Sequence, residues 1–479
     1  MNNSKTRAYA ELTAGVEQLP DGPQVGAMFD FDGTIIAGYS ATPLLRMQMK
    51  RGELTREQLL RTVGAMARFG LGNSSFSTLM MASVQYLEGI EESDYEALGE
   101  TLFEKALAKL IYPEARALIE AHQRKGHTVA IISSALPYQV LPAARSLGIE
   151  HVHCSRLRVV DGVFTGEVEP PVCFGEGKLA AARKLARKHG VHLRQSCFYS
   201  DSDDDLILLE KVGHPRPVNP NRGLGRIARE RDWPVQRFTS RGRPRASEWM
   251  RSLLATGAIF SSAASALPIW ALTGSKRQGQ NFSSSLFADV ASALIGLRLN
   301  VRGEENLWQQ RPAVFVFNHQ SKADLIIIAR LLRRNFTGVA RKHAGGLPLF
   351  EKAMDLSGVL LIDLEQPRET VAALRELGER IVNEGISVAI APEGTRSTSK
   401  QPGEFRKGAF QVAMAAGVPI VPIVIHNAMD VSPKGDFIYH PATVEVDVLP
   451  PVATSGWTRA SMAQEIAAIR GSFEKTLGL

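Results

Sequence analysis

Cysteine is nearly missing from this chain of 479 residues: only Cys154, Cys173 and Cys197 occur. Their number is odd and none forms a CxxC pair, which argues against a disulfide framework or a cysteine zinc site and fits a reducing compartment. The opening MNNSKTRAYAELTAGVEQLP has no apolar run, so no Sec-type signal peptide is expected. There is no internal repeat and no long low-complexity tract, which sets aside solenoids and composition-driven disorder. Charge is absent from Ser252 to Ser275, SLLATGAIFSSAASALPIWALTGS. That length meets the threshold for a spanning helix. The run is rich in Ala and Ser and contains Pro268, so its hydrophobicity is weak. A buried helix of a soluble domain competes with membrane contact, and spanning competes with lying in one leaflet.

What is present is ordinary for a globular protein. Hydrophobic residues make up 44% and charged residues 22%, which permits sizeable cores. The length suits two or three domains. A formal net charge of +7 and a pI near 9.3 suit an anionic partner: nucleic acid, anionic lipid or a phosphorylated substrate.

The pattern changes along the chain. VGAMFDFDGTII (25–36), TVAIIS (128–133) and the run from Gln195 to Ser200 read as buried strands, with helical patterns such as ARSLGIEH following Pro142. RVVDGVFTGEV (158–168) reads as a hairpin turning at Asp161-Gly162. Strands alternating with helices predict a parallel α/β sheet, with residues 40–110 as a mostly helical inserted cap. TSRGRPRAS (239–247), inside an arginine-dense stretch from Arg216 to Arg251, has linker character. A second apolar run, Phe282 to Leu297 broken by Asp289, follows the uncharged one and suggests a helical hairpin. Then AVFVFNH (313–319), SVAIAPEG (387–394) and VPIVPIVI (418–425) read as further buried strands.

The first chemical constellation is ordered along these strands. Asp30 and Asp32 lie in DFDGT at the C-terminal end of a strand, where open α/β sheets bind ligands. One carboxylate can attack phosphorus while the other acts as acid and base. Ser133 closes TVAIIS, Lys178 lies in GEGKLA, and Asp201 and Asp205 lie in YSDSDDDL. They supply a hydroxyl and a cation for phosphate oxygens and hard oxygen ligands for Mg²⁺. Singly, DxDGT is a turn and DSDDD a solvated acidic loop or weak calcium site; the ordered set is the signal. It resembles the haloacid dehalogenase-like phosphatases, in the branch that includes phosphoserine phosphatase, over about residues 25–238. The resemblance implies Asp30 as the nucleophile that becomes aspartyl-phosphate. It implies Asp32 as general acid/base and, through its carbonyl, a Mg²⁺ ligand. Ser133 and Lys178 would hold phosphate, Asp201 would bind Mg²⁺ with Asp30, and Asp205 would support that metal site. Phosphoserine phosphatases carry a glutamate facing the substrate ammonium; Tyr39 stands at that position here, so phosphoserine is not the expected substrate.

The second constellation begins at Asn318-His319-Gln320-Ser321-Lys322-Ala323-Asp324, after a buried strand. A His with an Asp five residues on forms a base with its orienter, able to activate a substrate alcohol without a serine nucleophile. Glu393-Gly394-Thr395-Arg396-Ser397 follows another strand; Gly394 permits close approach and Arg396 offers a fork for phosphate. Phe405-Arg406-Lys407-Gly408 adds cationic charge. A lone His-x4-Asp is usually a surface pair and EGTRS alone a loop salt bridge. Together they resemble the lysophosphatidic acid acyltransferases, over about residues 282–479. The resemblance implies His319 as general base, Asp324 as its partner, and Glu393, Gly394, Thr395 and Arg396 as acceptor-binding residues. Two blocks depart from the family: Arg341-Lys342-His343-Ala344 replaces Lys-Lys-Glu-Leu, and Leu364 follows Asp363 where arginine is common.

The expected protein is α/β throughout. A doubly wound parallel sheet with a helical cap (25–238, cap about 40–110) is followed by a basic linker and membrane-associated helices (239–298). A C-terminal α/β acyltransferase domain (299–479) completes it. The expected function is bifunctional. One half moves an acyl group from acyl-CoA or acyl-carrier protein to 1-acylglycerol 3-phosphate (lysophosphatidic acid); the other hydrolyses a phosphomonoester with Mg²⁺. Glycerol 3-phosphate or another lysophospholipid is the alternative acceptor, and a regulatory phospholigand-binding, membrane-recruiting or phosphoserine-specific module the alternative first half. An anionic membrane, at the cytoplasmic face of the inner (plasma) membrane, is the expected partner; nucleic acid is not, since no recognition motif accompanies the arginines.

Overall fold

The apolar run after Gln24 folds as strand β1 (Gly26–Phe29), buried along its whole length. The computed structural model describes residues 4–52, 57–58, 64, 84–241, 246–342, 348–362 and 367–479. The chain divides into two compact units, Met1–Arg243 and Pro244–Leu479.

In the first unit β1 is joined by β2 (Thr128–Ser133), β3 (His151–Cys154), a separate hairpin of β4 (Arg156–Val160) and β5 (Val163–Glu169), then β6 (Cys197–Ser200) and β7 (His214–Pro217). The sheet order is β3-β2-β1-β6-β7, with every pairing parallel. Side chains alternate between faces with period two. Met28, Ala130, Ile132 and Phe198 enter one core, and Phe29, Ile131 and Tyr199 the other. Burial on both faces is why these strands read as continuous apolar runs rather than alternating ones. The hairpin turns at Asp161 and Gly162, both at positive φ (49° and 78°), as an Asp-Gly turn requires.

The helical cap leaves the sheet after Ile36 and returns at Ile111. Ala37 N–H donates to Leu110 O at 2.8 Å and Tyr112 N–H to Ile35 O at 3.0 Å, so the two crossings are pinned together. Helices Ala41–Arg51 and Glu92–Leu102 belong to the cap; residues 53–56, 59–63 and 65–83 lie outside the described set, as do 242–245 of the expected linker. One expectation is corrected. The helix after β2 does not begin behind Pro142 but runs Pro137–Ser146 with Pro142 inside. Proline gives Tyr138 O no N–H, and Gly99 packs there, where a Cβ would lie 2.2 Å from that oxygen.

The second unit opens with helices Ala246–Thr273 and Lys276–Ile295. The first is long and apolar enough to cross a membrane, with mean hydropathy 1.5 over its best window. Its buried face is mostly small, Ser252, Ala255, Ala258, Ser262, Ala263 and Ala266, with the larger Ile259 among them. Its large residues Leu253, Leu254, Leu267, Trp270 and Leu272 are exposed. The second helix approaches closely enough that a Cβ on Gly279 would sit 2.5 Å from Ala266 O. Asp289, the charge that interrupts the second apolar run, pairs with Arg330 and, at 2.9 Å, with Arg333. Seven strands follow: β8 (Arg298–Arg302), β9 (Val314–Phe317), β10 (Phe336–Arg341), β11 (Leu360–Ile362), β12 (Ser387–Ile390), β13 (Ile420–Ile425) and β14 (Thr443–Val448). Their order is β11-β10-β12-β9-β13-β14-β8, parallel except between β13 and β14. Adjacent strands β9 and β12 end side by side, one leading to His319 and the other to Glu393.

Candidate functional sites

In the first unit Asp30, Ser133 and Asp201 sit at or just beyond the C-terminal ends of β1, β2 and β6, beside the central strand, where the connections turn to opposite sides. Asp30 N–H donates to Tyr199 O at 2.9 Å, continuing the β1–β6 ladder. Its Oδ1 accepts Phe31 N–H at 2.8 Å and lies 3.0 Å from Lys178 Nζ. Lys178 Nζ also donates to Asp205 Oδ2 at 2.8 Å, and that oxygen accepts Ser200 Oγ at 2.6 Å. Asp32 is held by Ser40, whose N–H donates to Oδ1 at 2.7 Å and whose Oγ donates to Oδ2 at 3.1 Å. Ser133 is buried, its Oγ accepting Ala135 N–H at 3.2 Å.

Gly33 turns the DFDGT loop at φ 72°, and a Cβ there would sit 2.2 Å from Asp201 Oδ2, so only glycine lets the two loops meet. Burial, then the charges of Asp30 and Asp205, raises Asp201 to about 8. Burial raises Asp32 to about 6 against the two Ser40 bonds. Burial also raises Asp30, against the pull of Lys178. Burial opposes a charged Lys178, but Asp205 and Asp30 outweigh it and hold the ammonium charged. Among the described residues no three His, Cys, Asp or Glu side chains converge to hold a metal ion. The donor chemistry nevertheless fits a hard cation: two buried carboxylates, Asp30 and Asp205, share one lysine, and Asp205 Oδ1 has no hydrogen-bond partner.

In the second unit His319 Nδ1 lies 2.7 Å from Asp324 Oδ2. The same oxygen accepts the N–H groups of Gln320 at 2.8 Å and Ser321 at 2.9 Å, and Asp324 is buried at the start of helix Asp324–Leu332. Helix N-termini favour such an anion. Glu393 accepts His319 N–H on Oε1 at 2.7 Å and Gly403 N–H on Oε2 at 2.8 Å. Ser397 N–H donates to His319 O at 2.7 Å. Gly394 is at φ 70°, and its Cβ would meet the Arg406 guanidinium at 3.1 Å. Thr395 is exposed and Arg396 half-buried. Burial, with Arg396 nearby, pushes Lys322 down to about 8.

Two family matches align with these two sites. The haloacid dehalogenase-like hydrolase family matches residues 27–210, and the family described as Acyltransferase matches residues 298–426. A probable phosphatase of Mycobacterium tuberculosis is 35% identical over 219 residues, covering 45% of this chain and 76% of that protein. A phosphoserine phosphatase of the same organism is 32% identical over 226 residues, covering 46% and 73%. The human 1-acyl-sn-glycerol-3-phosphate acyltransferase alpha is 30% identical over 218 residues, covering 45% and 76%. The chain is a haloacid dehalogenase-like hydrolase fused to an acyltransferase. Phosphatase-type chemistry in the hydrolase half and acyl transfer in the acyltransferase half follow from that membership.

The hydrolase half brings Asp30, Lys178 and Asp205 into one bonded chain and sets Asp201 against the DFDGT turn. The acyltransferase half brings His319, Asp324 and Glu393 together. Sequence reading missed Ser40 and Ser200, the hydroxyls that fix Asp32 and Asp205; a serine beside an acid is too common a pattern to stand out. It also missed Gln320, buried beside the histidine with neither amide atom hydrogen-bonded. His343, Ala344, Asp363 and Leu364, named as departures from the acyltransferase pattern, lie outside the described residues.

Proposed function

We propose that the chain performs two reactions of phospholipid metabolism at separate sites. The acyltransferase half, residues 299–479, takes an acyl group from acyl-CoA or acyl-carrier protein and places it on 1-acylglycerol 3-phosphate, giving phosphatidic acid. The observation that carries this reading is the His319–Asp324 bond of 2.7 Å on a turn fixed at both backbone ends of the histidine. With Nδ1 tied to Asp324, Nε2 is the nitrogen left to accept the acceptor's hydroxyl proton. The oxygen attacks the thioester carbonyl, the carbon–sulfur bond breaks, and the departing thiolate takes the proton back from His319. Arg396 holds the acceptor phosphate. Glu393, with both oxygens given to backbone N–H groups, serves the acceptor by shaping the loop that carries Gly394, Thr395 and Arg396.

The hydrolase half, residues 25–238, cleaves a phosphomonoester. Asp30 attacks phosphorus and becomes aspartyl-phosphate; Asp32 gives its proton to the leaving oxygen and later takes one from the water that attacks the intermediate. A proton-carrying Asp32 is consistent with burial raising it to about 6. Lys178 and Ser133 hold the phosphate oxygens, with Lys178 kept charged and aimed by Asp205 and Asp30. Asp30, the Asp32 carbonyl and Asp201 would hold Mg²⁺, with Asp205 behind them; such an ion neutralises phosphate charge when bound.

Residues 239–298 supply the linker and a helical hairpin that associates with the cytoplasmic face of an anionic membrane. Small residues between the helices with large apolar ones outside are the arrangement lipid favours. The full chain, assayed with acyl-CoA or acyl-carrier protein and lysophosphatidic acid, and with a phosphomonoester panel with and without Mg²⁺, tests both reactions. No transfer to lysophosphatidic acid, or no Mg²⁺-dependent hydrolysis, removes the corresponding half of the reading.

A further inference from the structure

Strand β9 keeps its parallel register with β13 as far as Phe317, which faces Ile423. Beyond that pair the chain leaves the sheet for the turn that carries His319, while β13 runs on to Ile425. Ile425 is fully buried, so its N–H and C=O both need partners. A side chain supplies them. Asn318 Nδ2 donates to Ile425 O at 2.8 Å, and Ile425 N–H donates to Asn318 Oδ1 at 2.7 Å. Asn318 is itself only 1% exposed. Its carboxamide offers one N–H and one C=O, as a peptide group does, and takes the place of the next rung of the ladder.

That substitution releases the backbone of His319 from β13. The His319 N–H goes to Glu393 Oε1, and its carbonyl receives Ser397 N–H, both from the chain that follows β12. Strands β12 and β13 flank β9 on opposite sides. The turn is thus held to one neighbour by the Asn318 side chain and to the other by the His319 peptide groups. Further along it, Ser321 Oγ donates to Ser432 O at 2.6 Å, a second tie to the chain beyond β13. The imidazole leaves this fixed backbone and meets Asp324 Oδ2 at 2.7 Å.

We propose that Asn318 is a positioning residue for acyl transfer: its carboxamide closes the β9–β13 ladder so that His319 is free to turn toward the Glu393–Ser397 loop and present its imidazole to Asp324. The inference rests on the acyltransferase reading. The position calls for a group that donates and accepts at once. Ionised aspartate only accepts and would set an anion against the Ile425 carbonyl; leucine has the shape and neither function.

The test uses the full chain with acyl-CoA and lysophosphatidic acid. At neutral pH, Asn318→Asp and Asn318→Leu are each expected to lower kcat by at least about tenfold, the rate equivalent of one buried hydrogen bond left unmade, with both KM values in place. Burial and the facing carbonyl raise the introduced carboxyl above the usual range. As pH falls it gains a proton, and with it the missing donor. The kcat of Asn318→Asp relative to wild type at the same pH should therefore rise on acidification. His319, Asp324 and Glu393 titrate in both proteins and drop out of that ratio. Asn318→Leu stays low throughout. Asn318→Gln keeps the amide but lengthens it by one methylene, and its kcat should fall as well. A ratio flat with pH, a wild-type kcat in any of the three folded variants, or a loss confined to KM overturns the proposal. If wild type transfers no acyl group, the acyltransferase reading falls, and the proton resonance of the His319–Asp324 bond decides the placement instead. Its displacement in Asn318→Leu supports the positioning role, and the same resonance in both proteins overturns it.

Discussion

Glu393 accepts the backbone N–H of His319 at 2.7 Å, while Ser397 returns a hydrogen bond to the His319 carbonyl from four residues further on. The Glu-Gly-Thr-Arg loop therefore clamps the residue proposed to move the proton. Positioning of this kind matters because misplacing a base costs rate even when its chemistry is intact. Glu393→Ala is expected to lower kcat for acyl transfer roughly 5- to 150-fold, the rate equivalent of an unpaired buried N–H at about 1–3 kcal/mol. The acceptor KM should change less than kcat. Steady-state kinetics with each substrate varied separately checks this; a pure acceptor-KM effect would mean that Glu393 acts on acceptor binding through its loop and not on the placement of His319.

His319→Ala should bring acyl transfer down by about 10²–10⁴-fold, the usual value of general-base assistance. Asp324→Asn should also be severe, since it upsets the tautomer that frees Nε2. Arg396→Ala should raise the KM for lysophospholipid more than it lowers kcat and leave the donor KM in place. A His319→Ala enzyme retaining more than about a tenth of wild-type kcat contradicts the general-base role.

Asp30→Asn should abolish phosphomonoester hydrolysis and leave acyl transfer intact. The Asp30–Lys178–Asp205 chain is wholly within the first unit. A folded mutant that has lost both activities rules out two independent sites.

Chelation with EDTA should remove hydrolysis and added Mg²⁺ restore it, while acyl transfer is indifferent to both. The basis is the crowding of carboxylates around one lysine, which burial and mutual repulsion raise, Asp201 to about 8. Hydrolysis at full rate in EDTA overturns the assignment of Asp30 and Asp201.

Tyr39 should steer the hydrolase half away from phosphoserine. Tyr39 is 67% exposed, and partial desolvation with the charges of Asp201 and Asp32 raises its pKa further above neutrality. An uncharged phenol offers the substrate ammonium no counter-charge. kcat/KM for phosphoserine should be no better than for monoesters with uncharged tails; a strong preference for phosphoserine contradicts this.

Strand-end motifs were legible in the sequence because a strand buried on both faces announces itself as an apolar run, and the residue after it is placed by the sheet. The places of Asp30, Ser133, Asp201 and His319 at or just after strand ends could be read that way. The supports of these residues were not. Ser40 reaches Asp32 across the start of the cap, and Gly403 reaches Glu393 across a loop, through contacts that no local spacing encodes. Glu393 itself was visible, but its target was not: sequence proximity to Arg396 pointed to phosphate, whereas its oxygens turn inward to backbone N–H groups. The helix containing Pro142 was misplaced because proline reads as a boundary, although a packed interior tolerated it.

The two hydrogen bonds at the neck of the cap, Ala37 to Leu110 and Tyr112 to Ile35, have an evolutionary corollary. They join positions more than seventy residues apart into what the sheet experiences as a short, closed stem. Chain changed beyond that stem leaves the strand ends where they are as long as Ser40, just inside the cap, keeps its two bonds to Asp32. The interior of the cap is thus free to vary in length while Asp30 and Asp32 keep their places at the end of β1.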